Sequence, residues 1–513
     1  MPLGIHLFNF SQKINYKTEI LAGITVAMTM MPESLSFAIL AGFPPLMGLY
    51  AAFIMGLVTA VFGGRPGLIS GGAGATVIVL IALMQSNGLE YVLAAVALAG
   101  VFQIIVGLFK LGKFIRLVPQ PVMYGFVNGL AVIIFMSQLE QFKTVVNGET
   151  TWLVGTPLYI MGGLVLLTIA IVYILPKFTK AVPPSLVAIV VIFLVVFGFG
   201  IDTKTVSDIA AVSGGFPPFH IPSVPFTFGT LQIIFPYALI MAGVGLTEGL
   251  LTLNLVDEIT ATKGNSNREC LAQGSANILN GFFSGMGGCP MIAQTLVNLS
   301  AGARARLSGI VASVTILIII LYGAPLIGLV PMAALTGVMI MVAIGTFEWI
   351  SFSILNKMPK HDIFVGVLVA AITIYLHNLA LAVLIGVIIS ALVFAWESAK
   401  RIRARKFTDE HGVKHYEIYG PLFFASVAAF NEKFDLQEDP QQVVIDFKES
   451  KVTDMSAIDA LNKLTERYQK AGKNLQLIHL SPDCRLLLKN AGSVINVNIV
   501  DDPTYHIATD RLK

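Results

Sequence analysis

Apolar residues fill the chain in long blocks separated by short polar punctuation. Runs such as Leu164–Leu175 and Val187–Phe199 carry no charge. They look helical rather than like the short alternating strands of an outer-membrane barrel. The blocks predict fourteen segments: 20–41, 46–63, 75–84, 90–109, 118–139, 158–175, 183–200, 231–255, 267–284, 290–302, 307–323, 329–345, 361–376 and 379–397. The third and tenth are too short for a bilayer, which takes about 20 apolar residues in a helix. After residue 399 the pattern changes. Tyr416–Phe424, Gln442–Phe447 and Leu475–Leu480 read as strands. Asp454–Ala471 places Ile458, Leu461, Leu464 and Tyr468 at helical spacing, and Asp483–Ala491 predicts a further helix. The expected organisation is a polytopic α-helical membrane domain over 1–399, a basic juncture over 400–412 and a small α/β domain over 413–513.

Composition supports that division. The 513 residues are 55% hydrophobic and 12% charged, with mean hydropathy +0.79, whereas soluble domains carry about 25% charged residues. Only 14 of the 30 acidic residues precede residue 400. The net charge of +3 forms no basic stripe, so nucleic-acid binding is not expected. Cys270, Cys289 and Cys484 are scattered and offer neither a disulfide framework nor a metal-ligand spacing. Residues 1–19 lack a signal-peptide pattern. No phosphate-binding loop and no Ser/His/Asp grouping is present, so neither an enzyme nor an ATPase is expected. His220, in a Pro-rich loop, and His377, near a segment end, read as surface residues.

The basic residues orient the segments. With a cytoplasmic N-terminus, Lys13, Lys17, Arg65, Lys110, Lys113, Arg116, Lys177, Lys180, Lys263, Arg268, Arg304, Arg306, Lys357, Lys360 and the cluster Lys400, Arg401, Arg403, Arg405, Lys406 fall on the cytoplasmic side. Only Lys143 and Lys204 fall outside, which supports both the count and the orientation. The first segment then runs outward and the eighth inward. The fourteen segments therefore form two inverted halves of seven, with both termini cytoplasmic in a bacterial-type inner membrane.

Two glycine-rich breaks carry the candidate chemistry: 71–76 (GGAGAT) and 285–290 (GMGGCP). Each precedes one of the short segments. Matching broken segments in the halves of a membrane protein point to a transporter binding site. The inverted orientation aims both short helices' N-termini at the midplane. Unpartnered first-turn amides and the helix dipole make such ends anion sites. Gly74, Ala75 and Thr76, with the Thr76 hydroxyl as an extra donor, would face Met291, Ile292, Ala293 and the side chain of Gln294. The alternative is that the glycines serve only close helix packing.

Two lone glutamates precede the breaks at matching distances. Glu33 lies 41 residues before Gly74, and Glu248 lies 40 before Gly288. A carboxylate inside a membrane needs a cavity, a partner or a proton. Glu33 and Glu248 are therefore candidates to bind H⁺ or Na⁺ together with the anion, and Thr252, one turn beyond Glu248, would add an oxygen. The alternative for Glu33 is a hydrogen bond at a helix break beside Pro32. Gln103, Gln138 and Asn128 read as interhelical hydrogen-bond residues.

Several stretches resemble one family. Met31-Pro32-Glu33-Ser34-Leu35-Ser36-Phe37-Ala38 is similar to the P-x-S-L-A-x-A signature of the SulP anion transporters. Pro44-Pro45-Leu46-Met47-Gly48-Leu49-Tyr50 is similar to their PP-x-x-GLY signature. Asn265–Glu269, Gln273-Gly274 and Gly302–Gly309 resemble second-half motifs, and the tail resembles a STAS domain. The resemblance implies a core and a gate domain, elevator-like motion, a homodimer, and an anion site between the third and tenth segments. Glu248 and Thr252 match the sodium site of the family's bicarbonate transporters in position, with Glu in place of Asp. A carboxylate at Glu33 resembles proton-coupled members. Asp454-Met455-Ser456 resembles the loop in which anti-sigma antagonists are phosphorylated, although Ser456 would equally cap a helix.

The sequence expectation is therefore a secondary-active transporter of a small inorganic or organic anion. Bicarbonate is the first choice, a dicarboxylate with protons the second and sulfate the third. H⁺ or Na⁺ would be the coupling ion, with no other cofactor. Lipid, a second copy and a cytoplasmic partner of the STAS domain are the expected partners. A nucleobase transporter, an anion channel and a non-transporting sensor are the competing readings.

Overall fold

The computed structural model describes residues 15–112, 119–146, 149–179, 182–208, 214–354, 357–376, 379–481, 484–486 and 498–500. Lys13, Lys113, Arg116, Lys180, His377 and most of the helix expected over Asp483–Ala491 lie outside them. Contacts divide the chain into Met1–Val387 and Ile388–Lys513.

In the first unit the elements run α1 (Tyr16–Leu40), α2 (Pro45–Phe62), β1 (Ser70–Gly71), α3 (Gly74–Ile78), α4 (Ile81–Asn87), α5 (Leu89–Leu108) and α6 (Gln120–Leu139). The hairpin β2 (Lys143–Val146) and β3 (Glu149–Trp152) leads to α7 (Thr156–Phe178) and α8 (Pro184–Phe199). The second half runs α9 (Phe228–Thr260), α10 (Ser266–Phe282), β4 (Cys289–Pro290), α11 (Ile292–Ser300), α12 (Leu307–Gly328), α13 (Met332–Thr346), α14 (Ile350–Ile354) and α15 (Lys360–Leu376), and α16 (Leu379–Lys400) runs across the division at Val387. Every expected segment is present. The third is α3 plus α4, which share a near-helical path through Val79 and Leu80 with a tighter turn, Leu80 N–H to Val77 O, at the join. Asn15 starts α1 by accepting from Thr18 N–H at 3.3 Å. Thr227 does the same for α9 through Thr230 N–H. At 33 residues, α9 is about 50 Å long and projects beyond a hydrocarbon core of about 30 Å.

Packing is exchanged between the two halves, as the expected repeat requires. α5 packs on α9 and α10, and its counterpart α12 packs on α1 and α2. Likewise α6 packs on α15 and α13 on α7. α1–α5 and α9–α12 form one bundle. α6–α8, α13 and α15 form the other, joined by α16, whose Gly386 lies against Val369 and Val122. The two bundles answer to the expected core and gate. α1 meets the second bundle through α8 and α13, in an apolar seam that includes Val26, Ile189, Ile192 and Val338.

The second unit holds a five-stranded sheet in the order β5 (Arg403–Thr408), β6 (Lys414–Tyr419), β7 (Gln442–Glu449), β8 (Asn474–Ile478), β9 (Asn498–Ile499). β5 and β6 are antiparallel and the remaining pairs parallel. α17 (Val427–Asn431) and α18 (Met455–Lys470) complete it. The basic stretch 400–412 is thus more than a connector, since it supplies edge strand β5, whose lysine and arginine suit an exposed edge. The strand expected to reach Phe424 stops at Tyr419. Asp454, not Ser456, caps α18, accepting from Ala457 N–H at 2.9 Å, and Ser456 lies exposed in the first turn.

Candidate functional site

The two glycine breaks touch. β1 and β4 pair antiparallel, with Ser70 opposite Pro290 and Gly71 opposite Cys289. This two-residue ladder sets the starts of α3 and α11 side by side. It requires glycine, because a methyl group at Gly288 would lie 1.9 Å from the Gly71 carbonyl oxygen. Thr295 of α11 reinforces the ladder by accepting from Ile69 N–H at 3.1 Å. Asn298 adds a bond to Gly67 O at 2.9 Å.

Both helices begin without a side-chain cap, at Ala73 and at Met291. The amides of Gly74, Ala75 and Thr76 and of Ile292, Ala293 and Gln294 therefore occupy first-turn positions with no intrahelical acceptor. Two expected donors are engaged within the protein: Met291 N–H bonds Ile69 O at 2.9 Å, and Thr76 Oγ1 bonds Ala73 O at 2.9 Å.

α1 and α9, counterparts in the two halves, both reach α3 and α11. On α1, Met30, Glu33 and Phe37 share one face. Met30 packs at Gly71, and the Phe37 ring lies against Gly74, where a methyl group would meet it at 2.4 Å. Between them the Glu33 carboxylate accepts a hydrogen bond from Gln294 Nε2. Gln294 is buried, and its Oε1 has no partner among the described residues. On α9, Glu248 Oε2 accepts from the Cys289 thiol at 3.0 Å. Thr252 Oγ1 donates to the Glu248 carbonyl at 2.7 Å, leaving its lone pairs for another ligand. Glu248 is thus joined to the second break and Glu33 to the helix that follows it.

A buried amide cluster that sequence reasoning did not assemble supports the break. Asn277 of α10 accepts from Gly288 N–H at 2.9 Å and donates to Gly288 O at 3.0 Å and to Gln103 Oε1 of α5 at 2.9 Å. Gln273, one turn earlier, donates to Gly245 O of α9 at 2.9 Å. The signal was present: Gln273, Asn277 and Asn280 recur at helical spacing. Asn128 does link elements, bonding Ser351 Oγ at 2.9 Å and Glu348 N–H at 2.8 Å. Gln138 bonds only within its own helix among the described residues.

Several charged residues tie helix ends together. Glu19 accepts from the backbone N–H groups of Arg304, Ala305 and Ser308 at 2.7, 2.9 and 3.0 Å, an anion at the start of α12. Arg306 donates to Ala60 O and Gly63 O at the end of α2. Arg65 pairs with Asp257 at 3.2 Å. His220 is a surface residue as expected, its side chain 42% exposed, and its Nε2 lies 2.9 Å from the Glu90 carboxylate.

Paired broken helices inside an inverted repeat define a multi-pass membrane protein built to pass a small ligand. Comparison with known proteins gives the family. The sulfate permease family matches residues 16–369 and the STAS domain residues 406–502. The chain belongs to the sulfate permease (SulP) family of anion transporters and carries a STAS domain; it is a transporter, not an enzyme. It is 40% identical to the putative sulfate transporter YbaR of Bacillus subtilis, over 93% of this chain and 97% of the relative. It is 29% identical to the bicarbonate transporter BicA of Picosynechococcus, over 88% and 86%. The transmembrane domain of a cyanobacterial BicA superposes with TM-score 0.63 at 27% identity, over 74% of this chain and 98% of that one. Murine Slc26a9 in the inward-facing state shares the fold, with TM-score 0.79 at 18% identity, over 94% and 89%.

Proposed function

We propose that the protein is a secondary-active symporter for a small oxyanion or carboxylate, bicarbonate first, coupled to Na⁺ or H⁺ and moved by an elevator-like displacement of the core bundle. The observation that carries this reading is the placement of two carboxylates at the paired helix starts. The first-turn amides would hold the anion. An ionised Glu33, tied through Gln294 to the first turn of α11, would repel that anion, and so would Glu248 at Cys289. Binding a cation or proton at either carboxylate removes the repulsion, which couples the two ligands. For Na⁺, Glu248 and Thr252 supply the oxygens. For H⁺, Glu33 supplies the carboxylate, and this second reading, with a dicarboxylate or sulfate as cargo, is supported by the place of Glu33 beside the first turn of α11. The proposal includes a homodimer in a bacterial inner membrane with cytoplasmic termini, a STAS domain that binds a cytoplasmic partner, and phosphorylation at the exposed Ser456.

Uptake of labelled bicarbonate, fumarate and sulfate into proteoliposomes, under a Na⁺ or an H⁺ gradient in turn, tests it. Concentrative uptake of one anion under one gradient is expected. Flux that only dissipates the anion's own gradient would instead mark a channel.

A further inference from the structure

A groove of 540 Å³ lies away from the breaks, between α5, the start of α9 and the Pro-rich loop 216–227. Ala97, Leu98, Val224, Phe228, Leu231 and Phe282 line it. Its polar lining is Thr227 and Thr230, which are turned on each other: Thr227 Oγ1 accepts from Thr230 N–H at 3.3 Å and lies 3.2 Å from Thr230 Oγ1. The lining therefore suits hydrocarbon.

The groove is held open by polar contacts behind it. Glu90, in the first turn of α5, lies 2.9 Å from His220 Nε2 and accepts from Ser223 N–H at 2.7 Å. His220 N–H donates to Phe282 O at 2.7 Å. Phe219 packs edge-on to Phe283 with ring centroids 5.4 Å apart. These contacts pin the loop as an arch over the ends of α5 and α10.

Its mouth continues the surface that faces the bilayer. Below Leu98, the same face of α5 exposes Val101, Ile105 and Leu108, and below Leu231, α9 exposes Phe235 and Leu239. Phe102 and Phe235 meet edge-on at 5.3 Å, joining α5 to α9 beneath the groove. At the rim, Phe226 is 98% exposed and Phe228 73% exposed. Side chains of this kind at a helix end belong in the apolar boundary of a membrane rather than in water.

We infer that this groove is a binding site for one acyl chain of a membrane phospholipid, seated under the 216–227 arch. The full-length protein is reconstituted in vesicles containing a minor fraction of phosphatidylglycerol with a diazirine on its acyl chain. After irradiation, adducts are mapped by peptide mass spectrometry. Adducts at 94–98 and 224–231 should exceed, several-fold, those on the exposed faces of α7 (Leu166, Tyr173) and α8 (Leu194, Phe197). In Ala97→Trp, which fills the groove, they should fall to the level of those faces, while the α7 and α8 adducts stay unchanged. Even labelling of all lipid-facing helices in the wild type overturns the inference, whatever the folding of the variant. So do protein-to-protein cross-links through 224–231 in place of lipid adducts, which would mark a contact between copies.

Discussion

Asn277 holds both backbone groups of Gly288, accepting from its N–H at 2.9 Å and donating to its carbonyl at 3.0 Å. A side-chain amide thereby acts as a strand partner for the second break. Replacing it strands two buried backbone groups, each costing about 1–3 kcal/mol. Asn277→Ala should therefore destabilise the membrane unit by about 2–6 kcal/mol and weaken anion binding. Thermal unfolding in detergent and equilibrium anion titration check both effects.

Gly74 tests the packing of α1 on the break. A methyl group there meets the Phe37 ring at 2.4 Å, so Gly74→Ala should cost about 1–3 kcal/mol of overpacking and lower uptake. Adding Phe37→Leu should restore part of both. A double mutant no better than the sum of the single changes would show that the damage is not this contact.

Coupling separates the glutamates. Glu33→Gln keeps a partner for Gln294 and loses the charge, so uptake should become independent of the pH gradient if H⁺ drives it. Glu248→Gln should remove Na⁺ dependence if Na⁺ does. Uptake against pH and Na⁺ is the measurement, and unchanged ion dependence in both variants removes the coupling roles.

The soluble unit carries its own pH dependence. Burial acts to raise Asp439, but Lys414 at 2.8 Å and the hydroxyls of Tyr468 and Tyr416 outweigh it and hold the carboxyl below its usual value of 3.8. Burial and hydrogen bonding to Asp439 push both tyrosines above their usual 10.0. A depressed carboxyl stabilises the fold above pH 3.8 and loses that contribution as pH falls further. Raised phenols stabilise below pH 10.0 and lose theirs above it. Hydrogen-exchange protection of α18 in the full-length protein should form a plateau between those limits. Asp439→Asn, which leaves Lys414 without its carboxylate, should cost about 3–5 kcal/mol.

Glu19→Gln should destabilise the fold by about 0.5–2 kcal/mol, read as a lower melting temperature, since a neutral amide caps α12 less well. Transport in the surviving folded protein should stay near wild type, as Glu19 does not touch the breaks.

Hydrophobic length made the spanning segments legible, because a bilayer demands it of every span, whereas the short third and tenth showed only through their breaks. The breaks were legible because glycine clusters are conspicuous in apolar sequence, and the loop charges supplied their opposed directions. Partners were not legible. Nothing local in Glu33 names Gln294, 261 residues away, and nothing in Glu19 names the start of α12. Strand β5 hid because its charged residues mask alternation at an exposed edge. The Asn277 cluster hid because a polar stripe on a helix ordinarily faces water, whereas here it faces the protein.

The β1–β4 ladder also sets an order of assembly. Ser70 waits for Pro290, 220 residues later in the chain. At about 5–20 residues per second, synthesis leaves the first break unpaired for about 10–40 s. During that time the N-terminal half is in the membrane with its first break unpaired, and no fragment ending before residue 290 can close the ladder.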